Sequence, residues 1–229
     1  MTSYFQAKKK IFSFSTLPTI ISKNVLDSAK SLQQTIDHYK IYKNYNIDKT
    51  ILPNLHNQEN AQLALNACAQ LFPQHKNKLN WELFKDFTLP EHRFEVFKKL
   101  QHLVVINDSK STNLHSSLSA IKSCDSPILL FLGGISKNEK FVEIKKYQDK
   151  IYKIIAFGHS ALQIKQELED TVVVETYSSL NEVFKQKSFD LQKNAPFKTL
   201  LFSPGGASFD EFKNYQDRGT FFKEQVNMI

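Results

Sequence analysis

Three short stretches place hydroxyls, lysines and glycines directly behind apolar runs. They are Asn107-Asp108-Ser109-Lys110-Ser111-Thr112, Gly133-Gly134-Ile135-Ser136-Lys137 and Ser203-Pro204-Gly205-Gly206-Ala207-Ser208. Each apolar run reads as a buried strand, and each polar stretch as the turn that leads to the next helix. In an open parallel sheet, ligands bind outside the carboxyl ends of the strands. A helix starting there offers free N–H groups and a partial positive charge to an anion. Lys110 and Lys137 add full charges, while Thr112 and Ser208 add hydroxyl donors. This chemistry suits a small ligand bearing carboxylates or phosphates.

Each of these residues also has a plain structural reading. Asp108 reads equally as a helix cap. Lys110 and Lys137 belong to a chain with 30 basic residues, only two of them arginine. The glycine pairs fit tight strand-to-helix turns. Arg93, one of the two arginines, has a planar fork that suits a phosphate or a salt bridge between domains. Arg218, inside "YQDRGTFF", reads as structural, paired with Asp217 or a helix end, and His56 and His92 read as surface residues. Cys68 and Cys124 are too few for a disulfide framework or a four-ligand zinc site, which points to a reducing, cytoplasmic setting. All six glycines lie at or beyond Gly133, and none completes a G-x-x-x-x-G-K-[ST] phosphate loop.

The net charge of +7 comes from scattered lysines without an aromatic–basic stripe, so nucleic acid is not an expected partner. No apolar run approaches the ~20 residues that span a bilayer, and the first residues lack the apolar core of a signal peptide. The elements that position the three turns are regular. From about residue 91, the apolar runs in "HLVVIND", "PILLFLGG", "KIIAFG", "TVVVET" and "TLLFSPGGAS" alternate with helical segments near 113–122, 139–148, 160–169, 178–187 and 209–226. That alternation predicts an α/β, Rossmann-like, mainly parallel sheet covered on both faces. In front of it, "KKIFSFS" alternates as a strand and "HYKIYKNYNIDKTILPNL" reads as paired strands or a connection. "HNQENAQLALNACAQLF" then predicts a helix capped by Asn57 and closed by Pro73, with Ala61, Leu65, Cys68, Ala69 and Phe72 on its buried face. A weaker helix is expected around Trp81 to Phe87. The change of style falls near Pro90, giving units 1–90 and 91–229.

The motifs "INDSKSTN", "LGGISKNEKF" and "LFSPGGASFDEFKNYQDRGTFFKE" together resemble the carboxy-terminal domain of the Mur ligase family, closest to its D-glutamate-adding branch. "LHNQENAQLALNA" and "FTLPEHRFE" are similar to the family's His-Asn-x-x-Asn helix and Pro-His-Arg approach, so the resemblance runs from about residue 50 to 229. It implies an ATP-dependent ligase that joins D-glutamate to UDP-N-acetylmuramoyl-L-alanine in peptidoglycan synthesis, with Mg assisting phosphoryl transfer. It implies that Asn57 and Asn60 contact adenine and that Arg93 and Asp108 reach the nucleotide's phosphate and ribose region. Lys110, with Arg93, would serve the reacting groups. Lys110, Thr112, Lys137 and Ser208 would hold the D-glutamate carboxylates, with Phe209 and Tyr215 lining the pocket.

The chain departs from the family pattern at three places. Glu91 is inserted in the Pro-His-Arg turn. Ser136 and Asn138 flank Lys137 where aspartate and glycine are usual, and Gly205-Gly206 stand where alanine-cysteine is common, which is expected to loosen that loop. The UDP-sugar domain, the phosphate loop and the metal-binding acids are expected upstream of Met1. Residues 1–90 would then be the tail of the central domain, with exposed sheet edges near residues 4 to 50. Such a chain is expected to be inactive by itself, and to derive from a full enzyme or work beside a separate amino-terminal half. The alternative is a non-catalytic binding module that kept the fold.

Overall fold

The computed structural model describes Lys10, Pro18–Ile21, Lys23–Ser31, Tyr39–Ile41, Leu55–Gln186, Phe189, Leu191 and Ala195–Ile229. The strand expected in "KKIFSFS", most of the tyrosine-rich stretch, the side chain of His56 and most of the expected sheet edge lie outside these residues. The chain divides into two compact units, residues 1–87 and 88–229.

In the first unit, β1 (Thr19–Ile21) pairs in parallel with β2 (Tyr39–Ile41), and α1 (Lys23–Ser31) connects them. Helix α2 (Leu55–Leu71) follows, and Gln70 ties its last turn to the Pro18 carbonyl at 2.7 Å. Ala61 and Leu65 are buried as the helical spacing predicts, whereas Cys68 and Phe72 are exposed. The expected cap is also displaced. The helix begins at Leu55, so Asn57 lies inside its first turn. Pro73 does end it, by opening a 3-10 turn over Pro73–Lys78, and the weaker helix is a 3-10 turn at Trp81–Phe84.

The second unit is a six-stranded sheet in the order β3-β4-β8-β5-β6-β7. Its strands are β3 (Glu95–Lys99), β4 (Val104–Asn107), β5 (Ile128–Gly133), β6 (Ile151–Phe157), β7 (Val174–Tyr177) and β8 (Thr199–Gly205). All neighbours run parallel except β3, an antiparallel edge strand on β4. The central strands are apolar because both faces are covered. Leu130, Leu132 and Leu201 pack with α3 (Leu114–Ser123) and α4 (Ala161–Leu168) on one side. Phe131, Phe157 and Phe202 meet α5 (Leu180–Lys185) and α6 (Tyr215–Asn227) on the other, where Phe202 and Phe222 stack with centroids 4.2 Å apart.

The helices begin where short polar side chains satisfy their free N–H groups. Asn113 accepts from Ser116 N, Ser179 from Glu182 N and Asn214 from Asp217 N. The Asn214 cap starts α6 six residues later than the expected Phe209. The helix expected over 139–148 is a 3-10 segment, Phe141–Lys150, broken at Tyr147. Among the described residues, no helix is long and apolar enough to cross a membrane.

Candidate functional site

Strands β4, β8 and β5 are adjacent and parallel, so their carboxyl ends share one edge of the sheet. The three stretches singled out from sequence are the loops leaving that edge, and hydrogen bonds stitch them together. Between the first loop and β8, Asp108 N donates to Phe202 O at 2.7 Å and Gly205 N donates to Ser111 O at 2.9 Å. Between the second and third, Ile135 and Ala207 exchange backbone hydrogen bonds of 2.8 and 2.9 Å. The backbones approach so closely that a Cβ on Gly206 would stand 2.6 Å from the Gly133 carbonyl oxygen. Thus Gly205-Gly206, expected to loosen this loop, is buried and tied at both residues.

Arg218 joins the first and third loops from α6. It is fully buried, donating from Nε to Ser109 Oγ (3.1 Å), from Nη2 to Ser109 O (2.9 Å) and from Nη1 to Gly206 O (3.0 Å). It is structural, as the sequence suggests, but its partners are these groups and not Asp217. Burial pushes its pKa down to about 10, opposed by the charges of Asp210 and Glu211, so it remains a cation at neutral pH. The signal for it was present in the rarity of arginine.

Asp108 is buried and turned inward. Its Oδ1 accepts from Phe94 N at 3.0 Å, and its Oδ2 accepts from Ser111 Oγ at 2.5 Å and Ser203 Oγ at 2.8 Å. The cap of α3 is Asn113, so the capping alternative for Asp108 falls. Burial pushes the Asp108 carboxyl up to about 6, against the three hydrogen bonds and the Arg93 charge.

His92 is buried rather than superficial. Its Nδ1 lies 2.8 Å from Asn107 Nδ2, its N–H donates to Glu95 Oε2, and its carbonyl accepts from Lys110 N. Desolvation lowers its pKa, which favours a neutral ring able to accept from Asn107. A lone histidine beside an arginine gives no sign of this in sequence. His92 and Phe94 both hold left-handed backbone, φ 64° and 49°, and between them the Arg93 side chain is exposed.

The remaining candidates keep their polar atoms largely uncommitted. Lys110 Nζ sits 4.2 Å from the Tyr215 ring centroid, which brings these two together. Thr112 is half-buried, Lys137 is exposed and Ser208 is buried, and no side-chain hydrogen bond or ion pair to a described residue engages any of them. Lys137 and Ser208 flank the Ile135–Ala207 bridge. Asn138 holds φ 62°, a conformation asparagine tolerates better than most residues, in the place where the resemblance expects glycine. Phe209 is 72% exposed. Asn57 and Asn60 belong to the first unit, on α2, half-buried and exposed respectively.

The fold and this edge define an α/β domain with stitched strand-end loops that present uncommitted donors. The chain belongs to the Mur ligase family. It is similar to the UDP-N-acetylmuramoylalanine–D-glutamate ligases of Caldanaerobacter subterraneus subsp. tengcongensis (31% identity, 96% of this chain, 48% of the relative) and Caldicellulosiruptor bescii (35%, 80% and 39%). That of Thermosipho melanesiensis is 30% identical over 98% of this chain and 50% of the relative. The chain thus spans about half, or less, of the length of the curated relatives it matches. A solved murein peptide ligase, Mpl, from Psychrobacter arcticus 273-4 aligns with a TM-score of 0.49 at 11% identity, over 79% of this chain and 38% of that one. No protein-family model matches the chain.

Replacing Arg218 with methionine leaves the Ser109 and Gly206 carbonyls buried without their donor, and each such group costs about 1–3 kcal/mol. Urea unfolding of Arg218→Met should therefore show a stability loss of about 3–5 kcal/mol, and Arg218→Lys should recover only part of it. Asp108 generates a pH test. Its folded pKa of about 6 exceeds the ordinary 3.8, so between those values the folded state keeps a proton the unfolded chain has released. Stability should fall as pH rises through that window, by a total on the order of 3 kcal/mol from this group. Asp108→Asn should shrink the difference between urea midpoints measured at pH 4.5 and 7.5; an unchanged difference would contradict this assignment.

Proposed function

We propose that the chain provides the amino-acid-binding part of an ATP-dependent ligase that joins D-glutamate to UDP-N-acetylmuramoyl-L-alanine. One observation carries this reading: the uncommitted donors Thr112, Lys137 and Ser208, with Lys110, are gathered on three strand-end loops tied into one edge. A ligand with two carboxylates needs several donors held apart at fixed positions, and separate rigid loops supply that spacing. The family likeness supports the identity of the acid.

In this reading residues 1–87 are part of the central domain and residues 88–229 the carboxy-terminal domain. Lys137, Thr112 and Ser208 hold the carboxylates, so that the D-glutamate amine faces the activated acyl group. Lys110, backed by the Tyr215 ring, and Arg93 meet the phosphate that departs as the amide forms, stabilising its charge. Asn57 and Asn60 contact the adenine. Asp108 acts on the nucleotide side through the backbone it fixes beside Arg93. ATP supplies the phosphoryl group that makes the muramoyl carboxylate reactive. Magnesium would assist the phosphoryl transfer in the whole ligase.

Calorimetric titration of the 229-residue chain should detect D-glutamate, bound more tightly than L-glutamate. Lys137→Met and Ser208→Ala should each weaken it at least about tenfold, the equivalent of ~1.4 kcal/mol. Undiminished binding in both variants would remove the pocket assignment. The chain alone should show no ATP turnover, and sustained phosphate release would overturn that part of the reading.

A further inference from the structure

Several lysines of the second unit find their partners in acids or carbonyls. Lys145 pairs with Asp170, Lys153 with Glu175 and Lys223 with Glu91 and Glu95, while Lys150 donates to carbonyls at the end of α3. Lys110 differs. Among the described residues no ion pair or side-chain hydrogen bond engages it, and its Nζ lies instead 4.2 Å from the Tyr215 ring centroid. Both residues are half-buried. Their backbones set the placement. Ser109, the residue before Lys110, donates from Oγ to Tyr215 O at 2.8 Å, and Lys110 N donates to His92 O at 3.0 Å. The His92 and Tyr215 rings meet nearly at right angles, with centroids 6.5 Å apart. Tyr215 itself opens α6, where Asn214 fixes the first turn by accepting from Asp217 N.

We propose that Tyr215 is a positioning residue for Lys110, its ring face holding the ammonium where an acid would otherwise stand. The inference rests on the reading above, in which Lys110 meets a phosphate, and it gives Tyr215 a task other than lining the amino-acid pocket. The negative face of an aromatic ring attracts a cation, and the attraction grows as water is excluded. A carboxylate would fix the ammonium as well, but it would cancel the charge, and an incoming phosphate would have to displace an anion. The ring carries no net charge, so Lys110 is oriented and keeps its full charge for the ligand. A freely rotating lysine would have to be ordered as the ligand binds, and the ring contact removes that ordering from the binding step.

The test uses the 229-residue chain, Tyr215→Phe, Tyr215→Leu, and chains in which phenylalanines bearing successive ring fluorines replace Tyr215. Fluorine draws charge from the ring face with little change of size, so it weakens the cation contact and leaves the packing alone. Native-like amide spectra establish that the variants fold. Inorganic phosphate is titrated at constant ionic strength and followed by NMR at the Lys110 side chain, whose protons carry the ring-current shift of Tyr215. Tyr215→Phe should keep that shift and bind phosphate within about twofold of the parent. Tyr215→Leu should lose the shift and bind at least about tenfold more weakly, and affinity should fall with each added fluorine. Parent-like binding in Tyr215→Leu, equal weakening in Tyr215→Phe and Tyr215→Leu, a flat fluorine series, or no phosphate response at Lys110 overturns the proposal. D-Glutamate, titrated separately, tests the reading beneath it. Its failure to bind, beside a graded phosphate response, removes the assigned amino acid and sustains the Lys110–Tyr215 pairing. Its binding beside a flat phosphate series does the reverse.

Discussion

The strand-end edge depends on one buried guanidinium. Parallel topology brings the ends of β4, β8 and β5 side by side, but the loops leaving them carry backbone groups that no strand pairs. Arg218 satisfies three acceptors with one planar group, two on Ser109 and one on Gly206, and so fixes the first loop against the third. A lysine has one nitrogen and cannot span those positions together. No described carboxylate forms an ion pair with it. Its charge is balanced by carbonyl dipoles and, at longer range, by Asp210 and Glu211. The edge thus has a buried cation behind the loops that carry Lys110 and Lys137.

The polar residues at this edge divide by where their hydrogen bonds go. Asp108, Ser111, Ser117 and Ser203 bond to one another beneath the loops. Asp210 accepts from His159 N, and Glu211 accepts from Leu180 N and Asn181 N at the start of α5. These two acids fasten the third loop to elements following β6 and β7, so Ser208 sits on a loop held from several sides. What remains uncommitted is therefore informative. Among the described residues no side-chain hydrogen bond or ion pair engages Lys137, Thr112 or Ser208, and the proposed ligand assignment rests on that contrast.

The parallel strands β4, β5, β6 and β8 were legible because strands covered on both faces are largely apolar, and the turns behind them stood out by contrast. Strand β7, a half-buried edge strand reading VETY, lies at the end of the apolar run that announced it. Strand β3 was not legible, since "EVFKK" on an antiparallel edge mixes charge with apolar residues and lacks that signature. The start of α6 was misplaced because Phe209 fits a helical period, while the cap bond from Asp217 N to Asn214 decides the boundary. The candidate donors could be chosen from type and position. Their status as free or committed could not, since that depends on residues far away in sequence: Ser203 for Asp108, Ser109 for Arg218, Leu114 for Glu139. The burial of His92 was hidden for the same reason, its ring being received by Asn107 and by Gly219, where a Cβ would stand 2.3 Å from His92 Nδ1.

That histidine bears on how Arg93 is presented. Left-handed backbone at a non-glycine residue costs on the order of 1–3 kcal/mol, and here two such residues enclose the arginine. The conformation persists because His92 and Phe94 are each held by the groups around them. Glu95 accepts from His92 N, Lys110 N donates to His92 O, and Asp108 accepts from Phe94 N. Glu95 is anchored in turn by Lys223 on α6, at 2.7 Å. Two of these partners, Asp108 and Lys110, belong to the first loop. The turn that projects Arg93 and the loop that projects Lys110 therefore share their hydrogen bonds, and neither can move without breaking the other's. The same bonds join the backbone segments from which Arg93 and Lys110 project into one edge.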